Sequence, residues 1–388
     1  MNVEGENNFS LLSAEEELLL LACRLNLSET QLSRVKELCG IIDNWNYFEE
    51  RCASSIIGPF VYSILIRKHK ISFPSNVEKS LASLSTRVLA KNVLIMNEYG
   101  HLSDLLKKEN IVFIPLKGVY LLNKHNELFE TRLTSDIDIL VHPNEEKHIR
   151  NLLFEGKYSE RLTLPIKLSK LTLNPTPYNY DRNGVTLDLH YRMNRLEGFS
   201  IDFETVWRSA EQTATTVQRN LTNVDRIVHL CTHAFTHFQI FDFKIASLAD
   251  IIMEMEELQD LPSILERSKQ FGCLKEVASM LYLLNEFFDV SVPADTFECL
   301  NEEEKEMLSK RFLLFLRGDR TALREKYHTT LNRFRQFTPH LNFIQKVRFV
   351  CYFAFPEKQY LQEYFGSKSN RLSLLSRYLI SQFQKLLF

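Results

Sequence analysis

Residues 135–141 run Ser-Asp-Ile-Asp-Ile-Leu-Val, two carboxylates two positions apart within a stretch of strand-forming residues. Side chains alternate faces along a strand, so Asp136 and Asp138 share one face while Ile137, Ile139 and Val141 share the other. Two strand rises put the acids' Cα atoms roughly 6.6 Å apart. Like charges held that close on a half-buried surface repel, and lost hydration adds to the penalty. A hard divalent cation relieves both, because it takes oxygen ligands. The strand is therefore expected to form the metal-carrying edge of an active site, against the plainer alternative of a solvated edge strand. By itself the pair is weak evidence: a chain of 388 residues shows roughly one by chance.

Its surroundings add to it. Residues 111–115 form a short apolar strand, and Lys117-Gly118 opens a helix through Leu122. Glycine there permits close approach of a ligand, and the free N–H groups of a helix start favour phosphate. Arg132 and Thr134 precede the acidic strand, and Pro143-Asn144 caps a helix through Phe154. Asn183-Gly184, between two alternating runs, signals a β-hairpin. Its second arm puts Asp188, His190 and Arg192 on one face and Leu187, Leu189 and Tyr191 on the other. Asp188 is thus a third carboxylate from a neighbouring strand, with an ion pair to Arg192 as the alternative.

The rest of the chain has helical periodicity. Residues 13–110 begin with Ser13 as an N-cap before an acidic first turn, and Pro74 separates an apolar-periodic stretch at 41–70 from a long amphipathic one at 77–108. After Ser200 helical patterning returns at 224–236, 247–258, 274–288 and beyond Glu302, and only 11 glycines punctuate the whole. His229, His233 and His237 share one helical face, and adjacent pairs have the spacing of a zinc-binding H-x-x-x-H. With no C-x-x-C and no glutamate base beside them, they are read as core histidines or as lining of the cleft. Net charge is −2, which excludes a molecule built as a whole to coat nucleic acid or anionic lipid. Locally, 305–348 holds eleven Lys/Arg against three acids, the best place for a polyanionic acceptor such as RNA, although its interleaved phenylalanines and leucines equally describe an amphipathic bundle. The amphipathic end, 371–388, is expected to dock on its own domain rather than on a membrane. Seven scattered cysteines and an acidic, polar start suit a cytoplasmic protein.

Lys117-Gly118, then Arg132-x-Thr134-x-Asp136-Ile-Asp138, then Leu187-Asp188-Leu-His190-Tyr resemble the bacterial "uncharacterised nucleotidyltransferase" family of the polymerase-β-like superfamily. The R-x-[ST]-x-D-I-D segment is also similar to that of abortive-infection-type toxin nucleotidyltransferases. The likeness is specific over about 111–192 and looser around Trp45, Cys231-Thr-His233-x3-His237 and Leu248-x-Asp250-Ile251. One departure is that Lys117-Gly118 stands where the superfamily usually has Gly-Ser. The resemblance implies an α+β fold, a small mixed sheet with helices, flanked by helical regions: 1–108 N-terminal, 109–200 catalytic core, 201–388 C-terminal. It implies transfer of a nucleoside monophosphate from an NTP such as ATP to a hydroxyl on a small molecule, peptide, protein or tRNA, with Mg²⁺ or Mn²⁺ as cofactor and pyrophosphate released. Asp136, Asp138 and Asp188 would be the catalytic metal ligands. Lys117, Gly118, Arg132, Thr134, Ser135 and Lys244 would contact nucleotide, Arg132 alternatively serving as a salt bridge that orients Asp136. Asp250 would approach the nucleotide, and His190, His233 and His237 would touch substrate or support the ligands. The alternative is a nucleotide-binding regulatory module, or a helical interaction protein, that does no chemistry.

Overall fold

The computed structural model describes residues 12–162, 178–193, 201–214, 217–239, 243–257, 260–319, 343–365 and 369–387. They divide into two compact units, each assembled from separated stretches of chain: Met1–Leu94, Leu121–Thr134 and Asn223–Leu323 make one, and Ile95–Tyr120, Ser135–Thr222 and Arg324–Phe388 make the other. The fold is mixed α+β.

The second unit holds a five-stranded sheet. Its strands are β1 (Phe113–Pro115), β2 (Asp136–Val141), β3 (Ser159–Leu162), β4 (Tyr178–Arg182) and β5 (Val185–His190), in spatial order β1-β2-β5-β4-β3. All neighbours are antiparallel except β2 and β5, which run parallel with Asp136 opposite Thr186 and Asp138 opposite Asp188. The acidic strand is therefore interior to the sheet and not at its edge. The β4–β5 turn is made by Asn183 and Gly184 at φ 53° and 75°, the left-handed pair that a two-residue hairpin requires. Strand β5 stops at His190, so Arg192 lies in a bend beyond it and does not continue the face that Asp188 and His190 share.

Alternation decides which side of the sheet is dry. Ile137, Ile139, Val141, Leu187 and Leu189 join one core with Ile95, Tyr99, Leu102 and Leu106 of the helix Ser75–Lys108, Ile149 and Leu153 of the helix Glu146–Glu155, and Leu361, Leu374 and Tyr378 near the C-terminus. A polar lock sits beside this core: the buried Glu98 carboxylate accepts from Tyr158 Oη (2.5 Å), Arg182 Nη1 (2.8 Å) and Asn183 Nδ2 (3.2 Å), fastening the hairpin to the long helix.

The first unit is helical. Ser13 caps Ala14–Leu21 with a reciprocal bond to Glu16, and Ser28 with Gln31, and Asn301 with Glu304, repeat the device for Glu29–Ile41 and Glu302–Arg317. The helix Asn223–Gln239 packs on Ala246–Glu257, Leu261–Gln270 and Leu274–Phe287. Phe238, Phe243, Phe287, Phe312 and Phe315 form an aromatic cluster there, with Phe287 and Phe312 ring centroids 4.6 Å apart. The helix Leu261–Gln270 is not among the sequence expectations, although Asp260 caps it and Pro262 occupies its first turn. In the described part of the basic stretch, Arg311 is buried over the Phe238 ring, Arg317 pairs with Glu16, Lys305 with Glu302 and Lys310 with Glu306. Residues 320–342 of that stretch lie outside the described residues. No helix of the described residues is long and apolar enough to cross a membrane.

Candidate metal centre

The parallel pairing of β2 with β5 sets two carboxylates side by side on the face of the sheet turned away from the core. Asp138, Asp188 and His190 are all buried, and each offers a ligand atom within 4.8 Å of the others. His190 Nε2 lies 2.8 Å from Asp138 Oδ1 and 3.8 Å from Asp188 Oδ2. Asp136, one pleat before Asp138 on the same face, is half-buried and accepts a hydrogen bond from Ser135 Oγ at 2.8 Å.

A lysine closes the group. Leu116 N donates to the backbone oxygen of Asp138 at 2.9 Å, which aims the next residue at that strand. Lys117 begins the helix Lys117–Lys124 at φ 46°, a left-handed conformation that costs a residue with a side chain roughly 1–3 kcal/mol unless its surroundings fix it. Its ammonium donates to Asp138 Oδ1 at 2.6 Å, and the two side chains are only 11% and 4% exposed. Gly118 follows as the second residue of that helix.

The electrostatics are unbalanced. Burial pushes the Asp136 carboxyl above its ordinary value, and the neighbouring Asp138 charge pushes it further. Burial acts the same way on Asp138, but Lys117 and His190 overcome it and hold that carboxyl well below the usual range. Three carboxylates face one ammonium, and Asp188 Oδ1 is buried with no hydrogen-bond partner. An orphaned buried carboxylate oxygen is expensive, and a surplus of negative charge around it is more so. Clustered carboxylate oxygens with one imidazole nitrogen beside them are a donor set that a divalent cation fits.

Arg132 and Thr134 belong to the helical unit. Arg132 Nε and Nη2 each donate to Asp250 at 2.7 Å, and Nη1 donates to Thr134 Oγ1 at 2.9 Å. Asn92 completes that knot, donating to the Phe129 and Arg132 carbonyls and accepting from Thr134 N. Lys244 lies in the turn before Ala246–Glu257, its carbonyl accepting from Ser247 N at 2.9 Å. His233 and His237 sit in the helix Asn223–Gln239 of the helical unit, ring centroids 4.4 Å apart, with His229 6.1 Å from His233. Among the described residues this row belongs to no three-ligand metal group. So the structure gathers Lys117, Ser135, Asp136, Asp138, Asp188 and His190, and gathers Arg132, Thr134 and Asp250 separately.

Sequence reading passed over two polar residues of weight. Asn92, inside a long amphipathic helix, gives no local signal. Glu254, a fully buried acid held by Arg226 at 2.6 Å and Lys124 at 3.1 Å, was detectable as an acid between the apolar residues Ile251-Ile252-Met253 and Met255.

A family model described as "Uncharacterised nucleotidyltransferase" matches residues 42–289, well over half of the chain. No curated protein and no solved structure matches it.

Proposed function

Because the chain belongs to the uncharacterised nucleotidyltransferase family, we propose that it transfers a nucleoside monophosphate from an NTP to a hydroxyl, releasing pyrophosphate. The observation that carries this is the register of β2 on β5, which sets Asp138 against Asp188, with Asp136 on the same face and one Asp188 oxygen unpartnered. Asp136, Asp138 and Asp188 would hold Mg²⁺ or Mn²⁺, with His190 beside them. Bound there, such a cation neutralises triphosphate charge and makes a nearby hydroxyl easier to deprotonate.

The chain's own residues then have separate tasks. Lys117, with the N–H groups at the start of its helix and the Ser135 hydroxyl, binds phosphate oxygens as a point charge and hydrogen-bond donors. Asp188, whose unpartnered Oδ1 is the oxygen left for the cation, takes the proton from the acceptor hydroxyl on its other oxygen. The deprotonated acceptor oxygen attacks the α-phosphorus; a new P–O bond forms, the α–β bridging bond breaks, and its electron pair leaves with pyrophosphate. Arg132 is assigned a positioning role: its fork is engaged by Asp250 and Thr134 immediately before the segment that enters β2.

The test is to incubate the protein with each α-labelled NTP, Mg²⁺ or Mn²⁺ and cell extract, with Asp138→Asn as control. Label appearing on a small-molecule, protein or RNA fraction only with the unaltered protein supports transfer and names the acceptor class. Nucleotide binding without transfer to any fraction would favour a binding module.

A further inference from the structure

We propose that Lys117 is a built-in counter-ion that trades places with the divalent cation: its ammonium holds Asp138 while the cation is away, and cation entry releases it to the triphosphate. The inference rests on the metal-site reading above and adds a regulation of that site.

The geometry at one oxygen carries it. Asp138 Oδ1 accepts from Lys117 Nζ at 2.6 Å and meets His190 Nε2 at 2.8 Å, so both of its lone-pair directions are occupied. A cation that ligates this carboxylate together with Asp188 comes to lie a few ångströms from both of these groups. The imidazole is fixed at the end of β5, inside the sheet register, whereas the lysine reaches Asp138 on a flexible four-carbon stem. Repulsion between an ammonium and a divalent ion a few ångströms apart in a buried site decides which group leaves.

The backbone permits the exchange. Lys117 is tied to Asp138 twice, by its side chain and by the preceding Leu116 N–H to the Asp138 carbonyl at 2.9 Å. Only the first bond has to open; the second keeps the turn in place while the ammonium swings. The left-handed φ of 46° at Lys117 marks a conformation held by such ties. Released, the ammonium stands at the first turn of Lys117–Lys124, where it adds to the donors available to phosphate. The site thus keeps a positive charge against Asp138 in both states, and its phosphate-binding lysine becomes available only when the cation is in place.

The experiment titrates Mn²⁺ alone into the full-length protein, following the free aquo ion by electron paramagnetic resonance, for wild type, Lys117→Met and Lys117→Arg. Removing the competitor in Lys117→Met should tighten Mn²⁺ binding at least about tenfold, the scale of a close buried pair being removed from the balance. Lys117→Arg, whose planar fork grips a carboxylate more firmly, should weaken it by a similar factor. Binding of a non-hydrolysable NTP analogue with saturating Mn²⁺ should move the opposite way in Lys117→Met, becoming weaker; a lysine that only braced the fold would not produce opposite signs. Unchanged or weaker Mn²⁺ affinity in Lys117→Met overturns the exchange while leaving the metal centre standing. Should Lys117→Met not fold, Lys117→Arg decides, with unchanged or tighter binding overturning the proposal. Absence of Mn²⁺ binding by all three proteins removes the metal centre and the exchange together.

Discussion

Two buried acid–cation pairs have members, Arg132 and Asp138, only six residues apart in sequence, and they are built on different accounts of charge. Arg132 and Asp250 close on each other with two 2.7 Å bonds, a guanidinium matched to a carboxylate, and Thr134 and Asn92 take up remaining donors and acceptors around them. Lys117 and Asp138 make a bond of 2.6 Å, yet two further carboxylates face them and Asp188 Oδ1 has no partner. The first pair matches its charges within the protein; the second group leaves a buried carboxylate oxygen over. The segment Arg132-x-Thr134-x-Asp136-Ile-Asp138 therefore divides, its first half bound into a matched ion pair and its second half into the carboxylate cluster.

The largest effect should come from Asp138→Asn. It should lower transfer by more than the roughly 10–100-fold that loss of an outer partner of a metal ligand causes, as measured by label incorporation at saturating NTP. The protein should stay folded, since an amide oxygen still accepts from Lys117 and His190, and circular dichroism would show this. Near-normal turnover would remove Asp138 from the metal centre and erase the contrast between the two pairs.

Arg132→Ala should do the reverse, acting first on stability. It leaves the buried Asp250 carboxylate uncompensated, a change that costs about 3–5 kcal/mol in comparable buried pairs. Denaturant unfolding would report it. Arg132→Lys should restore less than half, because a point charge cannot reproduce two parallel bonds. A variant of Arg132 that kept stability but lost NTP affinity would instead make it a phosphate ligand.

These two outcomes show where sequence was informative. The face shared by Asp136 and Asp138 follows from strand alternation, and the Asn183-Gly184 turn from the left-handed backbone those residues tolerate; both are local. The helices of 224–236, 247–258 and 274–288 were also legible, because an apolar stripe repeats within a few turns. Pairing between segments far apart in the chain is not local. Nothing near Arg132 announces Asp250, 118 positions away, and nothing near Lys117 says its ammonium reaches Asp138. Only the parallel register of β2 on β5 reveals that Asp188 faces Asp138 and not Arg192. His190 could be placed on the correct face from its spacing, but its bond to Asp138 depends on that same register.

The Glu98 lock is a second charge-complete cluster and should follow the pattern of Arg132–Asp250. Burial pushes its carboxyl up, but Tyr158, Arg182 and Asn183 outweigh burial and leave it below its ordinary value. A depressed carboxylate pKa means the lock's contribution is present above the unfolded value, roughly pH 4.3, and fades as pH falls through the folded one. Glu98→Gln should lower stability by about 1–3 kcal/mol at neutral pH, and the difference from wild type should shrink on acidification. A constant difference across that range would mean that the lock works by shape and not by charge.

The smallest effect has the opposite sign, and it bears most directly on the metal centre. The Asp136 carboxyl is raised by burial and by Asp138, so the folded state holds its proton more tightly than the unfolded chain does. Linkage then makes ionised Asp136 destabilising at neutral pH, and stability is regained as pH falls through the raised value toward the unfolded one, roughly 3.9. Asp136→Asn should accordingly stabilise the metal-free protein at pH 7, by up to about 1 kcal/mol given its partial exposure, while weakening Mn²⁺ binding. Its melting temperature should rise without the cation, and the further rise on adding Mn²⁺ should be smaller than in wild type. Removing an acid from a balanced cluster can only loosen it, so a metal-free Asp136→Asn protein that melts lower than wild type would mean the three carboxylates are already compensated, and the need for a cation would disappear.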